Sequence, residues 1–400
     1  DWDSATSTLT LTNAAILVPD GSGIDIYGNS QDNLTIELVG SSTVIGGESD
    51  NGYLGMESGT GLTLRCGTTG GSLTATGDGS GIFASGNVTI SGGAVVTATG
   101  KRSDGIGTYG NLTVRGEGTD VTAAGGWMGI DLGWSGTNTV TIEDGAEVTA
   151  KSERSDGIFT NSGNITISGA VVAATSEQRN GICTYSGSVI IQGEGTVVTA
   201  VGGSYIGENN TDYYDGIFAN EDVLIADRAE VTVTGTRDGI SVGGDVTISG
   251  GAVVTATGEN AHGIAADNAL TIDGTDTVVT AEGNGPKEDG GGIYSWEDIQ
   301  ISGGTVTASG ANWGICAAEL NYDSSDVLFV DKYITVTGGR VIASSTQGQA
   351  IGGILQTALP VWEGDDAATA RLSTVDYSQG AAAEAKFVSV NAEPTLPTPP

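Results

Sequence analysis

Apolar residues recur along this chain in short alternating runs. One family of runs has the form Asn87-Val-Thr-Ile-Ser91 or Asp245-Val-Thr-Ile-Ser249. A second has the form Val95-Val-Thr-Ala-Thr99 or Thr305-Val-Thr-Ala-Ser309. Alternation with period two and a preference for β-branched residues predict strands with one buried face. Glycine pairs such as Gly92-Gly93 and Gly303-Gly304 separate the two types of run and predict tight turns.

A third run starts with a Gly-Ile pair, at Gly23, Gly81, Gly105, Gly129, Gly157, Gly181, Gly216, Gly239, Gly263, Gly292, Gly314 and Gly353, with Gly52-Tyr53 filling the one gap. Most spacings lie between 22 and 29 residues. The two longer ones contain insertions, Ser204 to Tyr214 and Glu319 to Asp331. Three short strands per repeat predict an all-β, right-handed parallel β-helix, a three-sided β-solenoid of about 12 rungs. At ~4.8 Å per rung the coil would be roughly 55–60 Å long. The expected boundaries are an N-terminal cap over 1–22, the β-helix over 23–354, a C-terminal cap over 355–392 and a Pro/Thr linker over 393–400. That linker leads toward other modules or an anchor.

Alternation also assigns directions. Ile82 and Ala84, Ile106 and Thr108, Val88 and Ile90, and Val96 and Ala98 point inward. The outward positions of the Gly-Ile strand and its continuation collect aromatics: Tyr27, Phe83, Tyr109, Trp134, Phe159, Tyr185, Phe218, Tyr294 and Trp296. Aromatics make up only 6% of the chain, so their gathering on one face marks an interaction surface. Flat rings suit the C–H faces of sugars. The competing reading is cross-rung packing of the rings.

Charge narrows the choice of partner. Asp and Glu number 49 against 14 Lys and Arg, a formal net charge of -35. That sign disfavours nucleic acid and anionic membrane surfaces as partners, and no apolar segment long enough to insert in a membrane is present. Just before the repeat glycine stands a ladder, Asp104, Met128, Asp156, Asn180, Asp215, Asp238 and His262. Stacked carboxylates need a cation, an arginine or a proton between them. Calcium takes oxygen ligands, so Asp212, Asp215 and Asp238 are the expected metal set; ordinary Asx-turn chemistry is the alternative. Lys101, Arg102, Lys151, Arg154, Arg179 and Arg237 flank the same ladder, and Arg179 and Arg237 can fork onto ligand carboxylates. Outward threonines, including Thr97, Thr255 and Thr280, form columns of the kind that order ice, but Lys151 and Glu282 interrupt them. Cys66, Cys183 and Cys316 form no disulfide framework, and no nucleophile, zinc or phosphate-loop motif occurs. No catalytic residue is assigned.

Segments such as Asn33-Leu-Thr-Ile-Glu-Leu-Val-Gly-Ser41, Gly70-Gly-Ser-Leu-Thr-Ala-Thr-Gly77 and Asn87-Val-Thr-Ile-Ser-Gly-Gly93 resemble the clostridial carbohydrate-binding β-helix proteins related to polysaccharide lyases. The resemblance covers roughly residues 20–355. It implies a secreted protein, extracellular or on a bacterial cell surface, that binds plant polysaccharide, pectic or otherwise acidic, with calcium. The alternative it implies is a calcium-dependent polysaccharide lyase, in which Arg179 or Arg237 would stand near Asp215 and Asp238 as the base.

Overall fold

The computed structural model describes residues 1–27, 33–48, 52–133, 136–207, 211–286, 290–323 and 326–392. Its regular structure is entirely β, with no helix among the described residues. The chain divides into two compact units, Asp1–Asp212 and Tyr213–Pro400, each a parallel β-solenoid. Together they hold about eleven turns.

In the first unit the Gly-Ile strands stack in register. Ile24, Met56, Ile82, Ile106, Ile130, Ile158 and Ile182 form one inward column. The second strands stack likewise, with Val88, Leu112, Val140, Ile165 and Val189 in register. So do the third strands, with Val96, Val121, Val148, Val172 and Val198. Burial follows the alternation read from the sequence: Val88, Ile90, Ala98 and Ile106 are fully buried, and the threonines between them are not. One rung cannot bury these side chains alone; its neighbours above and below cover them. The second unit repeats the scheme, with Ile217, Ile240, Ile264, Ile293, Ile315 and Ile351 in one column.

The repeat glycine has a steric cause. A Cβ on Gly105 would stand 2.4 Å from the amide nitrogen of Ala124. The corner before each Gly-Ile strand is thus too close to the next rung for any side chain.

Three details differ from the sequence reading. Coil pairing begins within 1–22, because Thr8–Thr12 pairs in parallel with the strand starting at Leu34. Gly52-Tyr53 is not the missing repeat; Gly55-Met56 is, as the Met56–Ile82 register shows. At the other end Ile351, not Ile354, aligns with Ile315, and Ile354 begins a second-type strand paired with Tyr333. Beyond it the chain turns antiparallel, and Phe387–Val390 closes over Val341–Ser344. The expected linker, 393–400, lies outside the described residues.

Candidate functional site

Outward positions follow each inward Ile by one and by three. In the first unit, the nearer position forms the column Asp25, Glu57, Phe83, Gly107, Asp131, Phe159 and Cys183. Tyr27, Tyr109 and Tyr185 hold the farther position. The rings meet in two edge-to-face pairs. Phe83 and Tyr109 have centroids 5.0 Å apart at 84°, and Phe159 and Tyr185 are 5.2 Å apart at 78°. Such pairs are favoured by the ring quadrupoles.

Glycines make room for these rings. A Cβ on Gly107 would stand 3.0 Å from Phe83 Cδ2, and one on Gly133 would be 2.8 Å from Tyr109 Cδ1. Each ring therefore leans over the glycine of the following rung. Neither glycine, nor Asp131 between the two ring pairs, stood out in the sequence. The available signal was that Asp131 occupies the register position held by Phe83 and Phe159 on other rungs.

The expected aromatic column is only partly open. Tyr27 is 89% exposed and Tyr109 is 56% exposed. Phe83, Tyr185, Phe218 and Trp296 are half-buried. Phe159 is fully buried and Tyr294 nearly so, which removes both from any contact surface. The reason is that outward side chains here cover one another. Tyr185 sits edge-on to Phe159. Tyr294 stacks on His262, donates its hydroxyl to the Ala318 carbonyl, and is packed by Trp296 and Trp313. Trp134 lies outside the described residues.

Beside the rings, the acidic ladder ties one rung to the next. Asp104 Oδ1 accepts the Met128 amide, Asp156 Oδ1 the Asn180 amide, Asp215 Oδ1 the Asp238 amide, and Asp238 Oδ1 the His262 amide. This is turn chemistry extended between rungs. Its side chains fold over the Gly-Ile face: Asp104 Oδ2 lies 3.3 Å from where a Gly107 Cβ would be. Burial, joined by repulsion from Asp131, pushes Asp104 up to about 6. Burial likewise pushes Asp156 up to about 6, against its hydrogen bonds from Asn180. The Asp131 carboxyl is also raised by burial, although it accepts the Gly133 amide at 2.8 Å.

At the second unit's ladder an arginine meets two of the expected metal ligands, Asp215 and Asp238. Arg237 forks onto Asp215, with Nε 2.8 Å from Oδ1 and its terminal nitrogen on Oδ2, and its Nε is 3.2 Å from Asp238 Oδ2. An arginine thus supplies the charge between the two carboxylates, and His262 Nδ1 takes the other Asp238 oxygen at 3.0 Å. Asp212 is exposed in the short strand Thr211–Tyr213. Among the described residues no three His, Cys, Asp or Glu side chains are grouped to hold a metal ion. The fork also removes Arg237 as a base. Burial opposes its charge, but the Asp215 hydrogen bond and the nearby carboxylates outweigh that and raise its pKa further. Arg179 lies within 3.5 Å of the Tyr185 hydroxyl, beside Asp156.

The first unit therefore presents, on one face, the exposed Tyr109, the half-buried Tyr185 with Arg179, and the half-buried carboxylate of Asp131, while Asp104 is buried beneath them. Rings beside hydrogen-bonding groups can stack on a sugar and bind its hydroxyls. No curated protein and no solved structure matches the chain. One family, described as carbohydrate-binding domain-containing protein, matches it over residues 2–261 and again over 217–391. With nearly the whole chain so matched, the protein belongs to that carbohydrate-binding domain family.

Proposed function

We propose that the Gly-Ile face of the first unit is the surface on which this protein binds polysaccharide. The observation that carries the reading is the pair of edge-to-face Phe–Tyr clusters. In each, the phenylalanine is held against the sheet and fixes a tyrosine toward solvent. Tyr109 and Tyr185 belong to rungs three steps apart in register, or roughly 14 Å at the usual strand spacing. A glycan lying along the coil would cross both, with Arg179 and Asp131 meeting its hydroxyls. Plant polysaccharide outside the cell or at its surface remains the proposed setting. The carboxylates on this face favour neutral stretches of such a polymer over its uronates. Cations act on the acidic chain as a whole, since Arg237 already occupies the Asp215–Asp238 corner.

A glycan array should give retention of the parent protein on plant glycans. Tyr109→Ala with Tyr185→Ala should weaken it at least tenfold, about 1.4 kcal/mol, while the thermal transition persists. Equal retention by the folded double variant would sink the aromatic-face reading.

A further inference from the structure

We propose a second saccharide subsite in the first unit, in an open groove of about 450 Å3 at the corner where third strands end. This rests on the protein being a carbohydrate binder, but not on the aromatic face. Four consecutive rungs build the groove. Thr99, Ala124, Lys151 and Thr175 stand in register along its wall. Ala124, the smallest of the four, gives the wall its recess.

The floor is fixed by close packing. A Cβ on Gly125 would fall 1.7 Å from the Met128 carbonyl oxygen, so that position can carry no side chain. Farther along, the Ser152 hydroxyl donates to the Trp127 carbonyl and accepts the Ser155 amide. The Ser176 hydroxyl donates to the Ser155 carbonyl. The floor is therefore rigid and its hydroxyls are engaged within the protein.

The rim is different. Lys151, Glu153 and Glu177 line the groove, are exposed, and make no side-chain hydrogen bond or ion pair with any described residue. Lys101, on the same rim, is held by Glu48. The unengaged groups are thus one cationic donor and two anionic acceptors around a preformed recess. Charged donors and acceptors make the stronger hydrogen bonds to neutral hydroxyls. A ligand with hydroxyls that both donate and accept uses all three groups. A uronate would satisfy Lys151 but face both glutamates on a chain of net charge -35. The geometry points to a neutral sugar unit.

Calorimetric titration with cello-, xylo- and manno-hexaose, and with a galacturonate hexamer, tests this. Ala124→Leu with Lys151→Ala fills the recess and removes its donor at outward positions that carry no core packing. We expect one neutral oligosaccharide to occupy two sites on the parent. The groove variant should lose one of them at least tenfold, and Tyr109→Ala with Tyr185→Ala should lose the other. Unchanged binding by a folded groove variant overturns the subsite and leaves the aromatic face standing. Binding lost only in the groove variant overturns the aromatic face and leaves the subsite. A preference for the galacturonate hexamer overturns the neutral assignment, and no binding of any hexamer by the parent overturns the subsite.

Discussion

At the scale of single residues, position in the repeat does not decide exposure; the neighbouring rungs do. Phe83 and Phe159 occupy equivalent places one step after an inward Ile, yet one is half-buried and the other fully buried. Alternation in the sequence reports only which side of the strand a residue is on. It cannot report that Tyr185, from the next rung, closes over Phe159. The consequence is measurable. Phe159→Ala should cost about 3–5 kcal/mol of stability, as truncation of a buried phenylalanine does. Tyr109→Ala, at a site 56% exposed, should cost less than about 1 kcal/mol. Urea unfolding of the two variants compares them directly, and equal costs would contradict the assigned burial.

At the scale of the strand and its corner, most of the fold was legible because the repeat states its own register. Gly-Ile, Val-Thr-Ile and Val-Thr-Ala align rung on rung as the sequence predicted. What failed lies where the repeat degenerates. Gly353-Ile354 has the motif's letters but sits one element late, because Ile351 had already filled the column. The acidic ladder was visible, but its chemistry was not. Spacing alone allowed calcium or an arginine between Asp215 and Asp238, and only the geometry puts Arg237 there. Arg237→Met should leave the buried Asp215 without its counter-charge and cost about 1–3 kcal/mol at pH 7.5. Because Asp215 is already pushed up to about 6 by burial despite Arg237, it can take a proton instead. The cost should therefore shrink by pH 5. Denaturation of parent and variant at the two pH values checks this, and a cost that grows on acidification would refute the fork's role.

At the scale of the whole molecule the charge sets the response to solution conditions. Asp104, Asp156 and Asp215 are each raised to about 6 in the folded protein, from an ordinary value of 3.8. Between those values the folded chain binds more protons than the unfolded one. Stability must then rise as pH falls through 6 toward 4, and fall as pH rises from 4 to above 6. Relief of self-repulsion on a chain of net charge -35 acts in the same direction. Melting temperature followed from pH 8 to pH 5 should climb steadily; a decline would contradict the assigned carboxylate burial. Cations should act by screening alone. Calcium and sodium at matched ionic strength should raise the melting temperature equally, and a distinctly larger rise with calcium would instead support the metal expected from the sequence.

Hydroxyl-radical footprinting of the protein, free and held on a polysaccharide that retains it, bears most directly on the central claim. The account predicts that Tyr109 and Tyr185 lose reactivity in the bound state. The outward threonines of the second unit's third strands, such as Thr232 and Thr255, should react as before. Protection confined to those threonines, with Tyr109 and Tyr185 unchanged, would contradict it.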